Sequence, residues 1–598
     1  MYNRTCWICG GRWVLVGPPV FKTGEWGSEP HWCVRFARTP AIYETVLFEY
    51  RTVIFLEDFM KRKWTDESVY GKETVTRVLS MSNEEYEAAF DGNLKFGTAG
   101  LRGYMDAGTN RMNVFTVKKA AIAIAKWIKK NNAEDRGVVI GYDVRHNSRD
   151  FAKITASVME YFNIKYYFFD EIVATPHLSY SVRHLKTFCG VMVTASHNPK
   201  DYNGYKVYKR TGSQILEDDA EIIENFMNEI NEEELANIPN KKTIEFNFKH
   251  VFNDYYRDIM SLSMYDDKTP FKMVYSPYNG CGEKTAKKIL KDKNVMFFIP
   301  KEQEFPDPDF TTIPYPNPEV KETFSLAIDL AEKENANLIV VNDPDADRMS
   351  FASREGKIFR IFSGNEIGAI LIYYLLLVRK ERGLTTNGRI VKTIVTDDLG
   401  IEIARDFGYK TFETLTGFKN ISVFANELDG KDEEFIFGYE ESIGYEIGSV
   451  VRDKDGLSAL LYVVDAYRYF KNKNMTFQNV LEEIHQNYGY HIENNFSIYF
   501  EGVDSSEKMN RVVKEFREDF VDHLFDIEVD KRKDYLLETG NMKTNALIYN
   551  LKNGIKICMR PSGTEPKLKI YMYGVGDDKE KIMIELNKLR EKVEQFAK

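Results

Sequence analysis

Cysteine is scarce in this chain. Six residues scattered over 598 are too few for a disulfide framework, so a reducing, cytoplasmic setting is expected. Long apolar runs are missing as well. The longest, Ile367 to Val378, has 12 residues between Glu366 and Arg379, too short to span a bilayer, and predicts a buried helix. An excess of positive charge is also absent: a net charge of −10 argues against a nucleic-acid surface, which needs clustered Lys and Arg to neutralise phosphates. It leaves room for small phosphorylated ligands, which need only a few local cations. There is no low-complexity tract. With 43% hydrophobic and 29% charged residues, the profile is that of a globular protein of about four domains.

The first 60 residues differ from the rest. They hold four of the six tryptophans and three of the six cysteines, but a single lysine, Lys22. Cys6, Cys9, His31 and Cys33 contain a loose set of zinc-type ligands, though a lone CxxC is weak support. Residues 13–21 resemble a signal core, but Pro18 and Pro19 interrupt it. Residues 1–59 are therefore read as an extension outside the catalytic fold, with Met60 a plausible alternative start.

Beyond residue 60 the pattern alternates between helices and strands. Val114 to Lys129 and Ser148 to Tyr161 predict helices; Gly137 to Gly141, Tyr166 to Phe169 and Gly190 to Val193 predict buried strands. This βαβ rhythm predicts a largely parallel sheet. The expected domains are 60–243, 244–360 (with strand Leu338 to Val341), 361–475 (with helix Leu457 to Phe470) and 476–598 (with strands Ile555–Met559 and Lys569–Tyr573).

Four loops carry chemistry. Thr194-Ala-Ser-His-Asn-Pro-Lys200 presents the Ser196 hydroxyl at a strand end beside His197. Asp343-Pro-Asp-Ala-Asp-Arg348 follows another strand. Its carboxylates at i, i+2 and i+4 can converge on a hard cation, and oxygen-only ligation favours Mg²⁺. Gly438-Tyr-Glu-Glu-Ser-Ile-Gly444 offers Glu440 and Ser442 to vicinal sugar hydroxyls, and Arg452-Asp-Lys-Asp-Gly456 adds two cations that could meet a phosphate or shuttle a proton. Arg560-Pro-Ser-Gly-Thr-Glu-Pro566 supplies a guanidinium fork, two hydroxyls and accessible backbone N–H groups. Upstream, Phe96-Gly-Thr-Ala-Gly-Leu-Arg-Gly103 is glycine-rich but lacks the Lys-Ser/Thr ending of a P-loop, which excludes a nucleoside triphosphatase. Together these loops describe phosphoryl transfer.

GTAGLRG, TASHNP, DPDADR, GYEES and RPSGTEP, in that order from about Met60 to the C-terminus, resemble the α-D-phosphohexomutase family, in its long phosphoglucomutase/phosphopentomutase branch. The resemblance implies an α/β architecture of four domains around a central cleft: three related α/β domains and a smaller C-terminal α+β domain. It implies a phosphorylated Ser196, whose phosphoryl oxygen shares Mg²⁺ with Asp343, Asp345 and Asp347. Arg102 and Lys206 would sit near the reacting phosphoryl group, Lys454 would give or take a proton, and His197 would orient Ser196 or act as a base. Glu440 and Ser442 would grip the sugar; Arg560, Ser562, Gly563, Thr564 and Lys569 would hold the other phosphate. Thr98, Arg145 and Arg348 are further expected substrate contacts, as are Thr416, Gly417 and Lys419, which would help set specificity. Tyr439 and Tyr445 flank the sugar loop in the sequence and could narrow it towards a pentose. Two departures stand out: Lys200 and Asp201 replace a glycine pair, and Lys569 stands where arginine is common, without its bidentate fork.

The expected activity is interconversion of glucose 1-phosphate and glucose 6-phosphate, with ribose 1-phosphate to ribose 5-phosphate as the alternative. A sugar 1,6-bisphosphate (or 1,5-bisphosphate) would be the activator, and the enzyme a monomer or weak dimer. A Mg-dependent phosphatase and a silent sugar-phosphate sensor are the rivals. The first is disfavoured because Asp345 lacks the following Thr or Val of aspartate-nucleophile phosphatases, the second because all five motifs are intact.

Overall fold

The computed structural model describes residues 62–96, 100–239, 243–384, 386–502, 504–562 and 566–598. The loose zinc ligands of the N-terminal stretch, Met60, Thr98, Gly563 and Thr564 lie outside the described residues. Two compact units divide the chain at Ser80 and Met81. The described part of the first is a helix, Glu67–Ser80, broken at Gly71, where φ is 74°.

Residues 81–598 contain four sheets. The first is built from β1 (Leu101–Tyr104), β2 (Val138–Tyr142), β3 (Tyr166–Phe169), β4 (Cys189–Val193), β5 (Tyr202–Lys209) and β6 (Glu245–Phe246), in the order β1-β5-β4-β2-β3-β6. Every residue of β2 and β4 is buried, as continuous apolar strands covered on both faces must be. The second holds β7 (Lys272–Ser276), β8 (Met296–Phe298), β9 (Leu338–Asn342), β10 (Met349–Glu355) and β11 (Ile358–Ile361). The third holds β12 (Gly388–Thr393), β13 (Lys410–Thr414), β14 (Glu434–Glu440) and β15 (Gly444–Ile447). The fourth is antiparallel: β16 (Tyr490–Glu493), β17 (Phe496–Tyr499), β18 (His523–Leu524), β19 (Ile527–Asp534), β20 (Leu547–Leu551), β21 (Ile555–Pro561) and β22 (Lys567–Gly576).

The expectation of largely parallel sheets needs correction, and the correction locates the site. Each of the first three sheets contains a parallel run (β4-β2-β3-β6, β9-β7-β8 and β13-β12-β14), but the strand after the site loop turns back. β4–β5, β9–β10 and β14–β15 are antiparallel pairs, as is β21–β22 in the fourth sheet. All four chemical loops are therefore turns between paired antiparallel strands. The boundary expected at residue 243 also falls just before β6, which pairs in parallel with β3 and belongs to the first sheet.

The apolar stretch at 367–378 lies in helix Gly364–Glu381, buried along almost its whole length. No helix among the described residues is long and apolar enough to cross a membrane.

The third and fourth sheets are tied by charge. His491 of β16 meets Asp397 Oδ2 through Nδ1 at 2.9 Å and Glu402 Oε2 through Nε2 at 3.4 Å. Burial opposes its charge, but Asp397 and Glu402 outweigh burial and raise its pKa from 6.5 to about 10. A raised folded-state pKa contributes stability that is complete below the unfolded value and is lost as pH rises through the folded one. The melting temperature should therefore fall between pH 6.5 and about 10, and His491→Gln should flatten that part of the curve. Equal slopes for both proteins by calorimetry would refute this role.

Candidate active site

β4 delivers Ser196 onto a turn in which its own backbone is left-handed, at φ 52°. Such a conformation is uncommon outside glycine and asparagine and needs support from its surroundings. Arg145 provides it. Its guanidinium donates to the carbonyls of Pro199 (2.7 Å), Tyr202 (3.2 Å), Ser196 and Asn198, while Nε faces Asp143 at 3.3 Å. The expectation that Arg145 binds substrate is therefore corrected: its donors are consumed in holding the serine turn. The Ser196 hydroxyl donates to Asp343 Oδ2 at 2.6 Å and lies 3.1 Å from His197 Nδ1. Burial, with Arg348 and Arg102 nearby, holds the His197 pKa well below the ordinary histidine range, so the imidazole is neutral.

The three aspartates are buried and converge, their ligand atoms lying within 4.8 Å of one another. The turn that carries them also has a left-handed residue, Ala346 at φ 55°. Neighbouring elements pin it on all sides. Thr175 N donates to Asp345 O (2.9 Å), Cys281 N to Pro344 O (2.7 Å), Gly456 N to Ala346 O (3.1 Å) and Met349 N to Ile443 O (3.2 Å). Lys206 Nζ bridges Asp345 Oδ2 (2.8 Å) and Asp347 Oδ2 (3.0 Å), and Lys454 Nζ is 3.4 Å from Asp347 Oδ2. Burial works against the charge on Lys206, but Asp345, Asp347 and Asp453 hold it firmly protonated. Burial, with Asp345 and Asp347, pushes the Asp343 pKa far above the usual carboxylate range. Asp345 Oδ1 and Asp347 Oδ1 are buried without any hydrogen-bond partner. Orphaned carboxylate oxygens are costly in a low-dielectric site, and a hard divalent cation is the partner that suits them.

A cleft of about 1680 Å³ opens beside this cluster. It is lined by Arg102, His197 and Arg348, by Thr416, Gly417, Glu440 and Ser442, and by Arg560, Ser562 and Lys569. Glu440 Oε1 accepts from Gly417 N at 3.0 Å, which links the loop after β13 to the end of β14 in the third sheet. Arg560 and Lys569 are cross-strand partners on β21 and β22. Burial and the neighbouring Arg560 and Lys567 lower the Lys569 pKa, the signature of cations crowded where an anion would relieve them.

Several expected contacts point elsewhere. Lys419 is buried, with Nζ on Glu217 Oε1 at 2.6 Å, and does not line the cleft. Arg452 is buried against Asn426 Oδ1 (3.0 Å) and Val451 O (2.8 Å), so it meets no phosphate there. Tyr439 and Tyr445, on β14 and β15, are fully buried and donate to Asp397 O and Gly364 O, both at 3.3 Å. Packing dictates this: a Cβ at Gly368 would stand 2.5 Å from the Tyr439 ring and one at Gly400 2.3 Å from its hydroxyl. Neither tyrosine narrows the cleft. Tyr439→Phe should therefore cost about 1 kcal/mol of stability yet leave the ratio of hexose to pentose kcat/KM within about twofold. A larger change in the ratio would return the tyrosine to the specificity argument.

Some contributors carried no motif. Thr175 grips Asp345 Oδ2 through its hydroxyl at 2.7 Å, and Asp453 accepts from Tyr208 (2.8 Å) and Gln214 (2.7 Å). Tyr315, Asn317 and Glu319 reach the cleft from the segment between β8 and β9, and Lys567 lines it together with Arg560 and Lys569. Asp453 was visible inside Arg452–Gly456, but only the fold shows its partners.

Three family models match the chain in order: phosphoglucomutase/phosphomannomutase alpha/beta/alpha domain I over residues 93–234, domain II over 252–356 and domain III over 363–488. Together they cover well over half of it. The chain belongs to the phosphoglucomutase/phosphomannomutase family, whose members are phosphohexomutase isomerases. Phosphoglucomutase of Staphylococcus haemolyticus is 35% identical over 507 residues, covering 81% of this chain and 91% of its own length. Phosphoglucomutase of Staphylococcus aureus is 34% identical over 512 residues, covering 82% and 91%. Among solved structures, the open form of pp63/parafusin, a phosphoglucomutase from Paramecium, superposes with a TM-score of 0.64 at 20% identity, covering 85% of this chain and 95% of that one. A phosphoglucomutase/phosphomannomutase family protein from Burkholderia thailandensis gives 0.62 at 15% identity, covering 83% and 97%. These structures share the phosphohexomutase fold.

Proposed function

We propose that this phosphohexomutase interconverts glucose 1-phosphate and glucose 6-phosphate through a phosphorylated Ser196. The observation that carries the reading is the Ser196 hydroxyl, 2.6 Å from Asp343 in a buried carboxylate cluster, with the cations Arg560 and Lys569 lining the same cleft as its neighbour His197. One phosphate of the sugar would rest on Arg560, Ser562, Lys567 and Lys569. The opposite hydroxyl would then face Ser196 across Glu440, Ser442 and Thr416, whose Oγ1 is buried without a partner.

In the forward half-reaction a sugar hydroxyl gives up its proton as its oxygen attacks phosphorus, the P–O bond to Ser196 Oγ breaks, Oγ takes up a proton, and a bisphosphate forms. Turning that bisphosphate end for end and reversing the chemistry returns a phosphoryl group to Ser196 and releases the isomer. Lys206, Arg102 and Arg348 would stabilise charge on the phosphoryl oxygens, since fixed cations there need no reorganisation at the moment of transfer. His197, beside Ser196 Oγ, is the group placed to exchange its proton. Asp343, Asp345 and Asp347 suit Mg²⁺, which when bound supplies positive charge to the phosphoryl oxygens. A sugar bisphosphate would serve as activator by phosphorylating Ser196.

The test is a coupled assay of the full chain with Mg²⁺ and trace sugar bisphosphate, comparing glucose 1-phosphate with ribose 1-phosphate. A higher kcat/KM for the hexose is expected. A preference for the pentose would reassign the substrate, and sustained phosphate release would make the enzyme a phosphatase.

A further inference from the structure

The catalytic aspartates are not the sole cluster of metal-ligating groups among the described residues. His184, His250 and Asp254 bring one ligand atom each to within 4.8 Å of the others. Helix Lys249–Met260 sets His250 and Asp254 one turn apart on the same face, and helix Thr175–His184 ends on His184 beside them. His184 Nε2 stands 3.4 Å from Asp254 Oδ2. A tetrahedral site with bonds of about 2.0–2.1 Å has edges of about 3.3–3.4 Å, so this pair is already at the spacing of two corners. The rings of His184 and His250 are 6.1 Å apart between centroids, with the second imidazole near enough for a third corner.

The chemistry of the donors separates this cluster from the catalytic one. Two imidazoles and one carboxylate favour a borderline cation such as Zn²⁺, whereas an all-oxygen triad favours Mg²⁺. Its surroundings are consistent with a held site. Tyr180 stacks on His184 at 5.3 Å and 22°, which fixes the ring. Arg257 Nη1 donates to Asp254 Oδ1 at 2.7 Å, leaving Oδ2 turned toward His184 while moderating the charge on the carboxylate.

We infer that His184, His250 and Asp254 form a second metal site, specific for a borderline divalent cation of the Zn²⁺ class, with solvent completing the tetrahedron. Its consequence is mechanical. The helix that ends at His184 begins at Thr175, the residue that holds Asp345 through both backbone and hydroxyl. A cation at the far end, about 15 Å away along the axis, would clamp that helix to helix Lys249–Met260, against which His177 already stacks on Tyr255 at 5.1 Å.

The experiment titrates Zn²⁺ into the full chain with Mg²⁺ in large excess, by equilibrium dialysis, and repeats it with Co²⁺ to read the d–d absorption of nitrogen ligation. The wild type should bind one equivalent more than the His184→Ala/His250→Ala protein, and Zn²⁺ should raise its melting temperature further. The N-terminal cysteines contribute equally to both proteins and cancel in the difference. Both histidines are exposed and outside the cleft, so the variant should fold and keep its Mg²⁺-dependent turnover. Equal stoichiometry and affinity in the two proteins would overturn the site, whatever the substrate proves to be.

Discussion

Ser196→Ala should lower kcat/KM by about 10⁴-fold or more while leaving the fold intact, because the other hydroxyl on these carboxylates among the described residues, that of Thr175, is fully buried and committed to Asp345 Oδ2 at 2.7 Å. The structural cost is small. The substitution removes the 3.1 Å contact of Ser196 Oγ with His197 Nδ1 and the hydrogen bond from Oγ to Asp343 Oδ2, the latter worth about 1–3 kcal/mol once the carboxylate's desolvation is included. Asp343 keeps its second donor, the Arg348 backbone N–H at 2.9 Å. The Arg145 scaffold acts on backbone carbonyls, so it does not depend on the Ser196 side chain. Incubation with a sugar bisphosphate should add one phosphoryl group to the wild type by mass spectrometry and none to the variant. A variant that still labels at residues 194–200, or that retains near-full turnover, would move the nucleophile elsewhere.

This expectation was legible in the sequence, and so were the element positions: Ser148–Tyr161 and Tyr166–Phe169 match the predicted helix and strand residue for residue. Periodicity reports which faces are buried, and these segments are buried in simple patterns. Strand direction was not legible. A buried strand reads the same whether its neighbour is parallel or antiparallel, so the reversal of β5, β10 and β15 was invisible although it is what makes each motif a turn between paired strands. The aim of long side chains was equally hidden. Lys206 and Lys419 look alike in sequence, yet one ends on the buried aspartate cluster and the other on Glu217. Tyr439 follows Gly438 in a recognised motif, but alternation along β14 sends it inward while Glu440 turns to the cleft. Thr175 and Asp453 act across long sequence separations, and separations of that kind leave no local signature.

The second large effect concerns the cation among those carboxylates. In the protein without metal, Lys206 is the main internal charge compensating Asp345 and Asp347, with Lys454 farther off at 3.4 Å. Removing one partner of a buried ionic cluster leaves uncompensated charge and costs about 3–5 kcal/mol. Lys206→Met should therefore lower the melting temperature in chelator by about 5–15 °C. Saturating Mg²⁺ should recover much of that loss, because a ligand that binds the folded state alone stabilises it by mass action. It should not recover turnover. A fixed ammonium beside the reacting phosphoryl group contributes to the transition state in addition to any metal, and kcat should stay about 10²-fold or more below wild type. Scanning calorimetry with and without Mg²⁺ separates the two roles. Equal melting temperatures in chelator would show that Lys206 does not compensate the cluster, and full turnover in Mg²⁺ would show that its part is purely structural.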